Sequence, residues 1–355
     1  MSKPGWPPAE GQYSCPEIYS CPPTPITWKH GWPPPSTPWL SGWKYRKKHE
    51  IDGSTAGAVS DYQVRIVVHY GSGTDDKENV YLEGKCKNDF GDVRFTASDG
   101  KTLLPYEYEA EGKVDGDYAI YWVKIPNIPA SPDKTYIYIY YGNPDAVYDG
   151  NPDQVFEFFD DFETDLSKWT IDTSSGGGTI ERTNEIAKYG NYSLKFNQTK
   201  SGLGTGIHAI ANVKWPSSFA VHLYWRAAQT NGRASGCPSI EFADLDKLVH
   251  LTAYEDGIYK YYDVDWHDIF NYQADVWYKV EIRVNKESQK FDLLVDDGNT
   301  ASLTGAGFQS KTIDSDDLHL STFYATGVFY FDQVFVRKYI DPEPSHGAWY
   351  PEESA

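Results

Sequence analysis

The chain has 355 residues with 32 Lys and Arg against 51 Asp and Glu, a formal charge of −19. Its basic residues are scattered, which excludes nucleic acid and anionic membrane as principal partners, since both reward concentrated positive charge. No apolar run reaches the length of a membrane span, so no membrane insertion is expected. Aromatics make up 16% of the chain, with 28 Tyr and 12 Trp, a load suited to surfaces that meet sugars or other proteins. Met-Ser-Lys-Pro leads on without an apolar segment, so either a signal was removed or the protein leaves the cell without one, as virion proteins do.

Residues 1–42 read as an extended arm. They hold 11 of the 22 prolines, together with Trp6, Trp28, Trp32 and Trp39. Gly5-Trp6-Pro7-Pro8 returns as Gly31-Trp32-Pro33-Pro34, and Tyr13-Ser14-Cys15-Pro16 returns as Tyr19-Ser20-Cys21-Pro22. Proline fixes φ and removes a backbone donor, so this stretch cannot enter a helix interior or a central strand. Its aromatics argue against a plain disordered tail and for an assembly element docked on another subunit or on the chain's own body. The four cysteines allow three full pairings, and Cys15 and Cys21, six apart, are placed to close a small ring.

From residue 43 onward period-2 alternation dominates and helical periodicity is nearly absent. Tyr62, Val64, Ile66, Val68 and Tyr70 share one face of a strand, with Gln63, Arg65 and His69 on the other. Ile120–Ile125 and Tyr136–Tyr141 are further strands, each closed by turn residues. In the second half, Phe219, Val221, Leu223 and Trp225 oppose His222, Tyr224 and Arg226, while Tyr278, Val280, Ile282 and Val284 oppose Lys279, Glu281 and Arg283. Phe291, Leu293 and Val295 lead to an Asp296-Asp297-Gly298-Asn299 hairpin turn, and a last strand runs from Val328 to Val336. This pattern predicts an all-β protein of two antiparallel β-sandwiches of jelly-roll or concanavalin-like type. The predicted organisation is an arm (1–42), a first sandwich (43–154), a second (155–345) and a C-terminal tail (346–355).

Several motifs carry a family resemblance. Trp43-Lys44-Tyr45-Arg46-Lys47-Lys48, Gly91-Asp92-Val93-Arg94-Phe95, Asp99-Gly100, Leu103-Leu104-Pro105-Tyr106, Trp122-Val123-Lys124-Ile125-Pro126 and Tyr140-Tyr141-Gly142-Asn143-Pro144 follow in order. Together they resemble an uncharacterised all-β domain family of archaeal and bacterial surface proteins. There the domain is typically followed by a concanavalin-A-like (laminin-G-type) sandwich. Phe158-Phe159-Asp160-Asp161-Phe162-Glu163, Tyr192–Phe196 and Phe331–Tyr339 are similar to that companion. The resemblance implies surface display with glycan or protein recognition, and it supplies no catalytic residues.

Candidate sites follow from residue chemistry. Sugar recognition needs flat aromatic platforms with polar groups at their edges. Tyr254, Tyr259, Tyr261, Tyr262, Trp266 and Tyr272 crowd one region with Asp256, Asp265, His267 and Asn271. The glycan-binding set expected is Tyr254, Tyr259, Tyr261, Asp265, Trp266, His267 and Tyr272. Asp160, Asp161 and Glu163 near the start of the second sandwich, with Asp332 near its end, are placed to share a Ca2+. Sandwich glycosidases commonly carry Glu-x-Asp-x-x-Glu on one strand, and the nearest approach, Glu241-Phe242-Ala243-Asp244-Leu245-Asp246, splits its acids between two faces. No catalysis is expected.

The functional expectation is therefore a non-catalytic adhesion or glycan-binding protein, extracellular or on a cell or virion surface. Its arm would dock it into a larger assembly, with homo-oligomers and surface polysaccharide as partners. Two alternatives remain open: a structural virion or filament subunit without sugar binding, and a module of a polysaccharide-degrading enzyme.

Overall fold

The computed structural model describes residues 38–230, 249–254, 256–309, 317–324 and 326–355, and the backbone alone of 239–242. Cys15, Cys21, Trp6, Trp28 and Trp32 lie outside the described residues. The fold is two sandwiches, as the alternation predicts, antiparallel throughout the described strands save for one short parallel pair in the first. Chain order in the first is β1 (Tyr45–Asp52), β2 (Val59–His69), β3 (Asn79–Tyr81), β4 (Arg94–Ala97), β5 (Tyr106–Val114), β6 (Tyr118–Ile128) and β7 (Lys134–Tyr141). A one-turn helix α1 (Pro152–Val155), N-capped by the Asn151 side chain, marks the crossing to the second. That sandwich runs through β8 (Phe158–Asp160), β9 (Thr170–Asp172), β10 (Gly178–Thr183), β11 (Ser193–Gln198), β12 (Gly206–Asn212), β13 (Ser218–Ala227), β14 (Ser239–Phe242) and β15 (His250–Ala253). It continues with β16 (Ile258–Tyr262), β17 (Trp266–Asn271), β18 (Trp277–Asn285), β19 (Lys290–Val295), β20 (Ala301–Gly307), β21 (Asp317–Phe323) and β22 (Gly327–Lys338).

The expected C-terminal tail is instead part of the first sandwich. β23 (Ser345–Trp349) and β24 (Glu353–Ser354) both pair antiparallel with β1. The first sandwich thus packs a β23-β1-β7-β4 sheet on a β3-β2-β6-β5 sheet, and the second is inserted between β7 and β23. Here the core falls where alternation puts it: Tyr62, Val64, Ile66 and Val68 meet Ile137, Ile139 and Tyr141 from the facing sheet. In the second sandwich, a β10-β11-β22-β13-β18-β19-β20 sheet packs on β17-β16-β15-β14-β21-β12-β9. Trp225, Phe219, Phe196 and Phe331 fill the layer between them.

The opposite face of β2, polar by alternation, is partly covered by the second sandwich. Gln63 is buried, donating to the Val155 carbonyl (2.6 Å) and accepting from the Lys338 amide (3.0 Å). Trp122 on β6 packs beside Phe156 and Phe335 to form a small apolar cluster between the sandwiches. Around it runs a seam of charge. Arg337 contacts Glu343 (2.7 Å) and Glu281 (3.0 Å), Tyr62 donates to Glu343 (2.5 Å), and Lys279 of the second sandwich meets Glu109 and Glu111 of the first. Burial works against the Arg337 charge, but Glu343 and Glu281 more than reverse that, so the guanidinium stays protonated.

His49 fixes the returning strand. Its ring lies 3.7 Å from that of Trp349, nearly parallel, and its Nε2 is 2.9 Å from Nδ1 of His346. Burial, followed by the charge His346 would carry, pushes the His49 pKa down to about 3. A folded state that keeps this imidazole neutral binds fewer protons than the unfolded chain between about pH 6.5 and 3. Stability from this site is therefore complete above pH 6.5 and is lost as pH falls through that window. We expect the melting temperature to drop between pH 7 and 4.5, with His49→Phe, which keeps an aromatic ring against Trp349, reducing the drop. A loss of about 1 kcal/mol corresponds to roughly 2–4 °C in domains of this size. Identical pH profiles for wild type and variant would contradict this account.

Candidate functional site

β15 reads His250-Leu251-Thr252-Ala253 and is followed by Tyr254. Leu251 and Ala253 are fully buried in the core, so His250, Thr252 and Tyr254 belong to the outer face. The neighbouring register sets Tyr262 of β16 opposite His250 and Trp266 of β17 opposite Tyr262. An aromatic group results on the solvent side of the sheet. The Trp266 ring stands 5.0 Å from Tyr262, 5.1 Å from Tyr254 and 5.1 Å from His250, and Trp266 remains 41% exposed.

These rings line a cleft of about 390 Å³, completed by Thr252, Gln309, Phe323 and Tyr324. Tyr324 has φ of +62°, a left-handed conformation that a bulky residue rarely adopts and that costs on the order of 1–3 kcal/mol. It is held there by its own amide on the Thr205 carbonyl and by the Gly202 amide on its carbonyl, both 2.9 Å. The loop between those residues carries Leu203, 96% exposed. At the rim, Lys260 bridges Asp256 (2.7 Å) and Asp268 (2.8 Å). His250 Nδ1 lies 3.1 Å from the Gln309 side-chain oxygen.

The structure divides the expected glycan-binding set. Tyr254 and Trp266 line the cleft. Tyr259 and Tyr272 instead lie in the core, their rings packed on Trp225 at 5.1 and 5.6 Å, where no surface ligand reaches them. Tyr261 turns to the inner side at the sheet edge, stacked on His267 (4.5 Å) and edge-on to Phe291. Asp265 is exposed in the β16–β17 turn, where Asp263 accepts its amide and approaches His267 Nε2 at 3.0 Å. Strand alternation explains the division, because Tyr259 and Tyr261 point oppositely to Tyr262. His250, Thr252, Gln309, Phe323 and Tyr324 were not singled out from sequence. The spacing His250-x-Thr252-x-Tyr254 was the available signal for the first two, whereas the others arrive from distant strands and loops.

The four acids expected to share calcium act separately on backbone amides. Asp332 accepts from Lys188 (2.7 Å), Tyr189 (3.1 Å) and Gln333 (2.8 Å), and Glu163 accepts from Asn191 (2.7 Å) and Tyr192 (2.8 Å). Asp160 accepts from the Phe162 amide and the Trp169 indole, and Asp161 from the Glu163 amide. Among the described residues, no group of three or more His, Cys, Asp and Glu is assembled to hold a metal. The arrangement fits loop stapling and does not supply the six to eight converging oxygens that calcium takes. Gln333, at φ +52°, forms a bulge where β22 slips register against β13, and this places Asp332 in the interior.

A second cavity, about 460 Å³, lies along the charged seam between the sandwiches. Its cations Arg65, Lys279, Arg283 and Arg337 each already face a carboxylate, so it offers less to a ligand than the aromatic cleft.

With this geometry in hand, comparison with known proteins adds the following. A sequence-family profile, "Domain of unknown function (DUF2341)", matches residues 89–172, a stretch that contains the Gly91–Phe95 and Tyr140–Pro144 motifs and ends in β9. No curated protein matches the sequence. Carbohydrate-active proteins occur among the structures that resemble the chain. A sialidase is 12% identical with a TM-score of 0.40, over 73% of this chain and 29% of its own. The conserved carbohydrate esterase vb_24B_21 from the Shiga toxin-encoding bacteriophage phi24B is 11% identical with a TM-score of 0.42, over 52% of this chain and 99% of its own. A GH131 beta-glucanase catalytic domain from Podospora anserina is 10% identical with a TM-score of 0.38, over 49% and 86%. The chain thus spans less than a third of the sialidase.

Asp332 provides a test of the stapling account. Burial raises its pKa to about 7 despite three donated amide bonds. A carboxyl that holds its proton in the folded state contributes stability below its ordinary pKa near 4, and that contribution is lost as pH rises through 7. The melting temperature of wild type minus that of Asp332→Asn should decrease by several degrees from pH 5 to pH 8, whatever the other groups do to both. Parallel profiles would show that the carboxylate stays charged throughout.

Proposed function

We propose that this protein binds glycans through the outer-face cleft at Trp266, as a surface-exposed recognition module that does not turn its ligand over. The carrying observation is Trp266 itself. A large indole on the solvent side of a sheet fills no core, yet it is held among three rings at a cleft edge. Flat rings suit the apolar faces of pyranose sugars, and Thr252, Gln309 and His250 add hydrogen-bonding groups to the lining that would meet hydroxyls. Strain at Tyr324 supports the same reading, because a costly backbone conformation persists where the surroundings impose it, and such places cluster at binding sites.

The wider proposal places the protein extracellularly or on a cell or virion surface, with residues 1–42 as its assembly element. Support for the arm comes from composition: prolines lower the entropic cost of ordering, and each tryptophan brings a large apolar ring. Single-site affinity through such a platform is modest, and several copies in one assembly would raise it by avidity.

A glycan array followed by calorimetry on the best ligand tests the cleft. Trp266→Ala should weaken binding at least tenfold, as should Tyr324→Ala. His267→Ala, on the inner side of β17, should leave binding unchanged. Ligands bound equally well by wild type and Trp266→Ala would place the site elsewhere, and release of sugar from a polysaccharide panel would overturn the non-catalytic part of the reading.

A further inference from the structure

Thr252, which lines the cleft, is the register partner of Lys260 on β16, and Lys260 is in turn the partner of Asp268 on β17. Directly opposed residues of antiparallel strands share a face. The row Thr252, Lys260, Asp268 therefore crosses the outer face of the sheet beside the row His250, Tyr262, Trp266. A lysine at that position would suit an acidic ligand, yet its ammonium is committed elsewhere. Nζ lies 2.7 Å from Asp256 and 2.8 Å from Asp268, over the ring of Tyr254 at 5.1 Å from its centre.

The charge around the cleft points the same way. Among the described residues that line it, none is Asp, Glu, Lys or Arg. Asp256, Asp265 and Asp268 stand exposed about its rim. The stretches 231–238, 243–248, 255 and 310–316, outside the described residues and adjoining β14, β15 and Gln309 in sequence, carry three basic residues against five acidic ones. A carboxylated or sulfated sugar needs a cation to offset the desolvation of its own charge, most effectively a guanidinium that grips two oxygens. An uncharged pyranose needs only ring faces and hydrogen-bonding groups, which Trp266, Thr252 and Gln309 provide.

We propose that the cleft selects uncharged pyranose chains, and that Asp256 and Asp268 enforce the selection by holding Lys260 off the ligand. Specificity is a difference of affinities, and here it comes from exclusion as well as from fit. An acidic glycan meets an acidic rim, and the cation that register sets beside the cleft is already paired. The inference rests on the glycan reading of the same cleft and adds the class of ligand. It also implies a conversion. Without the two carboxylates, Lys260 is released beside Thr252 and Tyr254, on a flexible four-carbon stem able to turn toward a ligand carboxylate.

The test uses the full chain and matched oligosaccharides, each neutral form paired with its counterpart oxidised to a carboxylate at the primary hydroxyl. Calorimetry at about pH 8, above the ordinary imidazole range, compares the two at about 50 and about 500 mM salt. Wild type should bind the neutral member at least tenfold more tightly, and added salt, which screens the repulsion, should narrow the gap. In the Asp256→Asn, Asp268→Asn double variant the affinity for carboxylated relative to neutral ligand should rise at least fivefold. Adding Lys260→Met should cancel that rise. Circular dichroism checks folding, and Asp268→Asn alone replaces the pair if the double variant unfolds. Carboxylated glycan bound as tightly as neutral, with both lost in Trp266→Ala, would overturn the charge selection and leave the glycan site standing. Absence of any Trp266-dependent binding would overturn the site and this inference together. A rise that survives Lys260→Met would overturn the role given to the two aspartates.

Discussion

Arg337 is the charge on which the arrangement of the two sandwiches depends. It sits near the end of β22, the strand that closes the second sandwich, and its partner Glu343 lies just before β23, which completes the first. Tyr62 from β2 binds the same carboxylate, and Glu281 from β18 holds the other side of the guanidinium. His222, its pKa lowered to about 4 chiefly by burial, stays neutral and accepts from Arg337 at 3.1 Å. A buried charge without partners would be strongly destabilising, so this group has to be complete or the seam fails. Completing it requires residues from both sandwiches. The seam therefore selects one relative placement of the domains, which apolar contact at Trp122 and Phe335 alone would select less sharply.

That placement follows from chain order. Insertion of the second sandwich between β7 and β23 gives the domains two covalent crossings, one through α1 and one through residues 339–344. The returning segment is anchored by β23 and β24 on β1, by Arg46 with Glu353 (2.6 Å) and by Lys85 with Glu352 (2.7 Å). Because one sheet of the second sandwich joins this interface through β13, β18 and β22, the facing sheet, β17 to β9, is the one whose outer face carries the cleft. Tyr254, Tyr262 and Trp266 acquire their exposure from that division of labour between the two sheets.

Much of the fold is legible from residue pattern. Alternation over Tyr62–Val68, Phe219–Trp225 and Tyr278–Val284 identifies the strands and also the inward side of each, because only one face of a sandwich strand enters the core. Polarity on the other face is ambiguous. Gln63, His222 and Glu281 fall on the polar faces of their strands, yet the other domain covers them, and period-2 patterning is the same whether the partner is water or a complementary charge. The candidate site was legible only by region. The crowd of aromatics from Tyr254 to Tyr272 was visible, but phase decides its use. Tyr259 enters the core, and Tyr262, three residues on, stands outside.

By itself, then, the amino-acid sequence determined the class of fold, since that depends on local alternation and turn chemistry, and it pointed to a boundary at residues 154–155 and to a region crowded with aromatics. Two things were decided by tertiary structure alone: the return of residues 345–354 to the first sandwich and the buried Asp332 on its bulge. Both arise from pairing between strands distant in the chain. Hydrogen-bond register sets which residues meet across a sheet, and no local pattern of side chains encodes that register.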